Sequence, residues 1–87
     1  MKINPVDLDA LVGKRVRLDI YHPSVKHLRY RRYLGQYSST AVWVTQVLRP
    51  SYAKIVWKVH LQGSPQTATK VEQAAWISTE AITQILD

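Results

Sequence analysis

The spacing of apolar and polar residues predicts a chain built mainly of β-strands. Over residues 14–20 apolar positions alternate with charged ones, which is the period of a half-buried strand with a basic outer side. The same period is clearest over residues 52–61, where one side carries Ile55, Trp57, Val59 and Leu61. We expect this apolar side to lie in the core.

Three further stretches have the character of strands. Residues 41–48 and 71–77 are rich in β-branched and aromatic residues. Residues 28–37 also alternate, and Gly35 inside them predicts a bulge or a sharp bend. A His-Pro-Ser step interrupts the chain before this stretch, so residues 22–27 are expected to form a long basic loop.

Short helical segments are predicted near both ends of the chain. Asn4 and Pro5 are typical of a helix start, and Gly13 can end that helix. Near the C-terminus, Ser78 or Thr79 can cap a helical turn that presents apolar residues at helical spacing. We therefore expect a short N-terminal helix and a short C-terminal helical turn beside a β-sheet core.

The order of these segments resembles the SH3-like small-barrel superfold. LVGKRVRLDIY is the opening strand, and a long first loop leads to a strand bent at Gly35, then to AVWVTQVL and YAKIVWKVHL, and finally to AAWISTEAITQI. Five strands in a chain of 87 residues are expected to curl so that their edges are protected. The resemblance implies a mainly β, five-stranded SH3-like small barrel, and an OB-like barrel is the alternative.

The first loop differs from that of one group within this superfold. Peptide-binding SH3 domains carry an ALYDY-type motif and an acidic first loop for proline-rich ligands, whereas the corresponding segment here, HPSVKHLRYRR, is basic. The resemblance therefore does not imply proline-rich ligands. A shared superfold does not by itself determine function either.

Size and motif content argue against an enzyme. The chain is expected to form one domain, residues 1–87, with one core and little room for a deep pocket. It has no nucleophile elbow, no Gly-rich phosphate loop and no paired-carboxylate motif. Cysteine is absent, and the three histidines do not match the spacing of a metal site. We expect a binding protein without a metal or a cofactor.

No membrane segment is predicted. The longest unbroken apolar runs are a few residues, far short of a membrane-spanning helix. Two acidic residues stand in the N-terminal stretch, where a signal peptide would be apolar. These features predict a soluble, cytoplasmic protein without a membrane partner.

Positive charge is concentrated in one part of the chain. The net charge is +6, and residues 14–32 hold seven of the twelve Lys and Arg but one of the six Asp and Glu. The excess charge of the whole chain can be assigned to this segment, which is typical of an anion-binding surface. An ordinary solvated basic surface is the alternative interpretation.

The stretch LRYRRYLGQY is the leading candidate for a binding surface. Guanidinium groups pair with phosphate, and tyrosine rings can stack on nucleic-acid bases. The predicted binding residues are Arg15, Arg17, Lys26, Arg29, Tyr30, Arg31, Arg32, Tyr33, Tyr37 and Trp43. In the alternative interpretation the tyrosines pack inside and the arginines lay their stems over them.

The three tryptophans have different expected positions. Trp57 belongs to the apolar side of its strand and is assigned to the core, and Trp76 is expected to be buried or half-buried. Trp43 is exposed if Val42 and Val44 face inward, and buried in the opposite case. An exposed Trp43 would offer a platform for a partner.

The residues support three interpretations of function. The leading one is nucleic-acid binding, to DNA or RNA, through backbone charge and base stacking. The second is a protein-interaction module or inhibitor that docks on an acidic protein, and an accessory protein encoded by a mobile element would be such a chain. The third is a homo-oligomer in which edge strands of neighbouring copies pair.

Overall fold

The computed structural model describes residues 5–35, 42–60 and 70–86, which are mainly β as predicted. Chain order begins with a 3-10 helix (Pro5–Leu11), strand β1 (Val16–Leu18) and two short helices, α1 (Pro23–Lys26) and α2 (Arg31–Gly35). It continues with β2 (Val42–Leu48), β3 (Tyr52–His60), β4 (Lys70–Ser78), a 3-10 turn (Thr79–Ala81) and β5 (Ile82–Ile85). The strands predicted over residues 41–48, 52–61 and 71–77 correspond to β2, β3 and β4.

The strands form two antiparallel sheets that meet along a short seam. β2, β3 and β4 make a three-stranded meander, and β1 pairs with β5. At the seam, Gly13 N donates to Val44 O (2.7 Å) and Val44 N donates to Lys14 O (2.9 Å). Arg15 and Trp43 form an additional antiparallel bridge there. The prediction of a closed five-stranded barrel is wrong for the described residues, because β1 has three residues and cannot join the two sheets along their length.

The core lies between the inner side of the meander and the elements that cover it. The meander contributes Val42, Val44, Ala53, Ile55, Trp57 and Ile77, all buried. The covering elements contribute Leu8, Leu11, Val16, Leu18, Val25, Leu34, Ala81 and Ile82. The predicted core positions of Ile55 and Trp57 are confirmed, with exposed fractions of 0% and 3%. The side chain of Val59 and the whole of Leu61 lie outside the described residues.

The N-terminal helix forms where the sequence predicts it and covers one end of the core. It is a 3-10 helix over Pro5–Leu11, and its buried residues are Leu8 and Leu11. Gly13 follows with a φ of +87°, a conformation that L-residues with a Cβ rarely adopt. The predicted role of Gly13 in ending the helix is therefore confirmed.

The predicted strand over residues 28–37 is wrong in its described part. The chain turns over residues 28–30 and then forms α2, so Gly35 is the last residue of a helix and not a strand bulge. Leu34 is buried, and Tyr30, four residues earlier, packs partly against the core. The apolar positions that suggested alternation also fit this helical spacing of four. Residues 36–37 lie outside the described part of the chain.

Two further local predictions need correction. Residues 22–27 contain α1 rather than only a loop, because His22 caps the helix through its ring nitrogen and Pro23 suits the first helical position. Ser78 does cap a 3-10 turn, as predicted, but the chain after it forms β5 instead of continuing as a helix. The reason is tertiary: β1 offers backbone partners, with Val16 opposite Ile85.

Candidate functional site

The described binding residues from the sequence prediction lie in two surface regions. Arg17 lies on β1, Arg15 directly precedes that strand, and Trp43 lies on β2 next to the seam between the sheets. The second region, here called the basic cluster, is formed by Lys26, Arg29, Tyr30, Arg31 and Arg32. The side chain of Tyr33 and the whole of Tyr37 lie outside the described residues.

The basic cluster combines exposed cations with a half-buried ring. Lys26, Arg29, Arg31 and Arg32 are exposed, and the guanidinium carbon of Arg29 lies 5.4 Å from the centre of the Tyr30 ring. Arg31 Nη1 donates a 2.6 Å hydrogen bond to the carbonyl oxygen of Lys26, at the last residue of α1. Arg31 therefore has a structural role in closing α1, and Tyr30 is a partly buried residue that packs against the core.

The first region, which contains Arg15 and Trp43, continues into a larger surface, the outer side of the three-stranded meander. Residues alternate between the two sides of each strand, and the cross-strand register shows which of them share a side. This outer side, here called the sheet face, carries Trp43, Gln46, Leu48, Tyr52, Lys54, Val56, Lys58, Glu72, Ala74, Trp76 and Ser78. Arg15 extends it, because directly opposed residues point to the same side of a sheet and Arg15 stands opposite Trp43.

Three aromatic rings are exposed on the sheet face. The exposed fractions are 37% for Trp43, 47% for Tyr52 and 44% for Trp76. Trp43 points outward because Val42 and Val44 are the buried neighbours, which is the first of the two predicted alternatives. The prediction that Trp76 is buried or half-buried is wrong, since its neighbour Ile77 occupies the core and strand alternation places Trp76 outside.

Two of these rings line a shallow apolar concavity. Its volume is about 220 Å³, and its lining residues are Leu48, Tyr52 and Trp76. Leu48 stands directly opposite Tyr52 on β2. On the other side of Tyr52 the directly opposite residue is Ser78, and Trp76, two residues before Ser78 on β4, is therefore a diagonal neighbour of Tyr52. The sequence prediction missed this site. The available signal was the alternation of residues 71–77, because an inward Ile77 requires an outward Trp76.

Cations stand among the rings on the sheet face. Lys54 stands directly opposite Trp76, and Lys58 lies four residues further along the same side of β3. Arg15 stands opposite Trp43 at the other edge of the meander. The acidic residue among the sheet-face positions is Glu72, opposite Lys58. The surface therefore offers aromatic rings and positive charge within one cross-strand spacing of each other.

The contacts of His22 and Ser24 have a structural explanation. His22 Nδ1 lies 2.9 Å from Ser24 Oγ and accepts a hydrogen bond from Ser24 N (3.1 Å), which caps α1. Ser24 Oγ in turn accepts a hydrogen bond from Ser78 N (3.1 Å), and so joins α1 to the end of β4. The described residues contain no group of three or more His, Asp or Glu side chains that could hold a metal ion.

In the described part of the chain, no helix has both the length and the apolar content to cross a membrane.

Comparisons with known proteins supply no family. No protein-family model matches the chain, and no curated protein and no solved structure matches it.

Proposed function

We propose that this chain is a nucleic-acid-binding module that contacts phosphates with the cations of the sheet face and the basic cluster. The observation that carries the proposal is the pairing of cations with exposed rings on one sheet surface, with Arg15 opposite Trp43 and Lys54 opposite Trp76. Guanidinium and ammonium groups bind phosphate oxygens, and an adjacent ring can contact sugar or base. The net charge of +6 favours association with a polyanion.

We infer, as part of this proposal, that the fold is an open relative of the SH3-like arrangement. Three features support the inference: a long insertion between β1 and β2, the three-stranded meander, and a 3-10 turn that leads into β5 beside β1. An OB-like arrangement is the less favoured alternative. In the SH3-like arrangement the insertion between β1 and β2 contains the basic cluster, and the meander presents the sheet face outward. A cytoplasmic location remains a prediction.

The direct test is a binding titration across a salt series. Nuclease-treated protein is titrated into labelled duplex DNA, single-stranded DNA and RNA, and anisotropy is recorded. Binding through phosphates requires log K to fall linearly with log salt concentration, with a slope of about −0.9 per neutralised phosphate on duplex and about −0.7 on single strands. Absence of binding to all three at low salt would refute the proposal.

A charge-matched pair of variants locates the contact. Arg32→Gln removes an exposed charge of the basic cluster, and we expect its salt slope to become shallower by about 0.7 to 0.9 if that arginine contacts one phosphate. Arg49→Gln removes the same charge, but Arg49 Nη2 lies 3.1 Å from Asp9 Oδ2, so its slope should stay at the wild-type value. Equal slopes for Arg32→Gln and wild type would remove this arginine from the interface.

Docking on an acidic protein is the second candidate, because the apolar concavity at Leu48, Tyr52 and Trp76 has the residue types of a protein interface. A pull-down after nuclease treatment distinguishes the two candidates. Recovery of one stoichiometric acidic protein, together with no affinity for nucleic acid, would establish this second function in place of the first.

A further inference from the structure

We infer that the sheet face is a base-stacking platform and that the ligand is single-stranded nucleic acid. This inference rests on the proposed function and adds the class of nucleic acid and the residues that contact its bases. The platform consists of Trp43, Tyr52 and Trp76, and Tyr52 and Trp76 were not among the residues predicted from the sequence to bind.

The first reason for this inference is that three aromatic rings are exposed on the sheet face. Trp43, Tyr52 and Trp76 lie on three different strands but share one side of the sheet, with exposed fractions of 37%, 47% and 44%. Aromatic side chains that stay outside a core leave a large apolar area in water, and such patches mark binding surfaces. A flat ring is suited to stack on a base, because every base has a π-face.

The second reason for this inference is that the spaced rings can stack only on unpaired bases. In a duplex the base faces are stacked on one another, so a ring can reach them only if the base is unpaired. Tyr52 and Trp76 are diagonal cross-strand neighbours, about 7–8 Å apart at their Cα atoms. Trp43 lies two strands from Trp76, roughly 12 Å away by a strand spacing of about 4.8 Å and a rise of about 3.4 Å per residue. The rings therefore provide two separate stacking positions on one surface.

Charge complementarity selects an anionic occupant for the concavity. Lys54 stands beside Trp76, and Arg15 stands beside Trp43, so each stacking position has a cation within one cross-strand spacing. A base can fill the apolar space between Leu48 and the rings while its phosphate meets Lys54. A second copy of the chain would instead bring the same cations together, which is unfavourable without counter-charges.

The test compares ring-retaining and ring-removing variants on two matched ligands. The ligands are a labelled 15-nucleotide oligo(dT) and a 15-base-pair duplex, titrated by anisotropy at several salt concentrations. Trp76→Leu keeps an apolar side chain but removes the ring, and we expect roughly 5- to 150-fold weaker binding to the single strand, the range for loss of one base stack. Trp76→Phe keeps a ring and should stay within a few-fold of wild type.

A parallel pair at Trp43 tests the second stacking position in the same way, with Trp43→Leu and Trp43→Phe. The salt slope should not change in any of the four variants, because no charge is removed. Their residual affinity for the duplex should also match that of the wild type. Unchanged far-UV circular dichroism and an unchanged melting temperature confirm that each variant is folded, and both sites are exposed enough for this to be expected.

The outcomes separate this inference from the proposed function. If both leucine variants bind oligo(dT) as wild type does, while binding remains salt-steep, the stacking platform is refuted and phosphate binding stands. Equal wild-type affinity for the duplex and the single strand would also refute the single-strand assignment. If the wild type binds neither of these ligands nor a 15-nucleotide RNA at low salt, the proposed function itself fails, and docking on an acidic protein becomes the leading interpretation.

Discussion

Replacement of Gly13 by alanine should destabilise the protein by about 1 kcal/mol. Gly13 has a φ of +87°, and a Cβ added to it would meet no other atom within 4 Å. The cost therefore comes from the backbone conformation alone, about 1–2 kcal/mol for an L-residue in the left-handed region. Alanine also restricts the unfolded chain, which offsets about 0.4–1 kcal/mol of this cost.

The substitution of Gly13 also affects the contact between the two sheets, because Gly13 lies at the seam between them. Its backbone N donates a 2.7 Å hydrogen bond to Val44 O, and Val44 is a fully buried residue of β2. An L-residue that relaxes to negative φ would move this donor and weaken the seam. A destabilisation of about 1 kcal/mol corresponds to a melting temperature lower by roughly 4–8 °C in a domain of this size.

Guanidinium chloride unfolding, followed by tryptophan fluorescence, measures the change in the free energy of unfolding. We expect a lower midpoint with an unchanged m value. Gly13→Asn is the matched control: asparagine tolerates the left-handed region better than alanine, so it should cost less. A loss above about 3 kcal/mol for alanine would show that the added Cβ is crowded, and a gain in stability would show that residue 13 does not hold a positive φ; either result would refute the reasoning.

Three further variants test the core, the helix-to-sheet link and the surface. Ile55→Ala should lose about 2–5 kcal/mol of unfolding free energy because Ile55 is fully buried, whereas Ile55→Val should lose about 0.5–1.5 kcal/mol in the same denaturation assay. Ser24→Ala removes the acceptor for Ser78 N and should cost about 1–3 kcal/mol, with faster amide exchange at Ser78; unchanged exchange would contradict the bond. The exposed Arg49–Asp9 ion pair should show a coupling energy below about 1 kcal/mol in a double-mutant cycle, and a larger value would mean that solvent screens it less than its exposure indicates.

The sheet face and the basic cluster lead to different expectations for specificity. Cations of the basic cluster contact only a backbone and would bind duplex and single strand alike. Rings of the sheet face can engage only unpaired bases. The ratio of single-strand to duplex affinity therefore shows which of the two surfaces contributes more to binding. The decrease of this ratio in the Trp76→Leu variant shows how much of the single-strand preference the ring of Trp76 contributes.

Elements with strong local signals could be predicted from the amino-acid sequence alone. Strict alternation placed Ile55 and Trp57 in the core, and their exposed fractions of 0% and 3% agree with it. Gly13 and Ser78 marked the end of one helix and the cap of a 3-10 turn, because a positive φ and a side-chain cap are requirements of single residues. These properties need no knowledge of distant partners.

Other elements form because of contacts with residues that are distant in sequence. Residues 28–37 carry apolar positions compatible with both strand and helix, and the contacts of Leu34 with the core select α2 for residues 31–35. Residues 82–85 become a strand because β1 has an open edge beside them.

The sheet face depends on long-range pairing in the same way. Trp43, Tyr52 and Trp76 are far apart in sequence and have no common local pattern. Only the register of β2, β3 and β4 brings them to one side of one sheet, beside Lys54. Side-chain alternation within a strand specifies two sides, but which side faces water is decided by the layer that packs on the other.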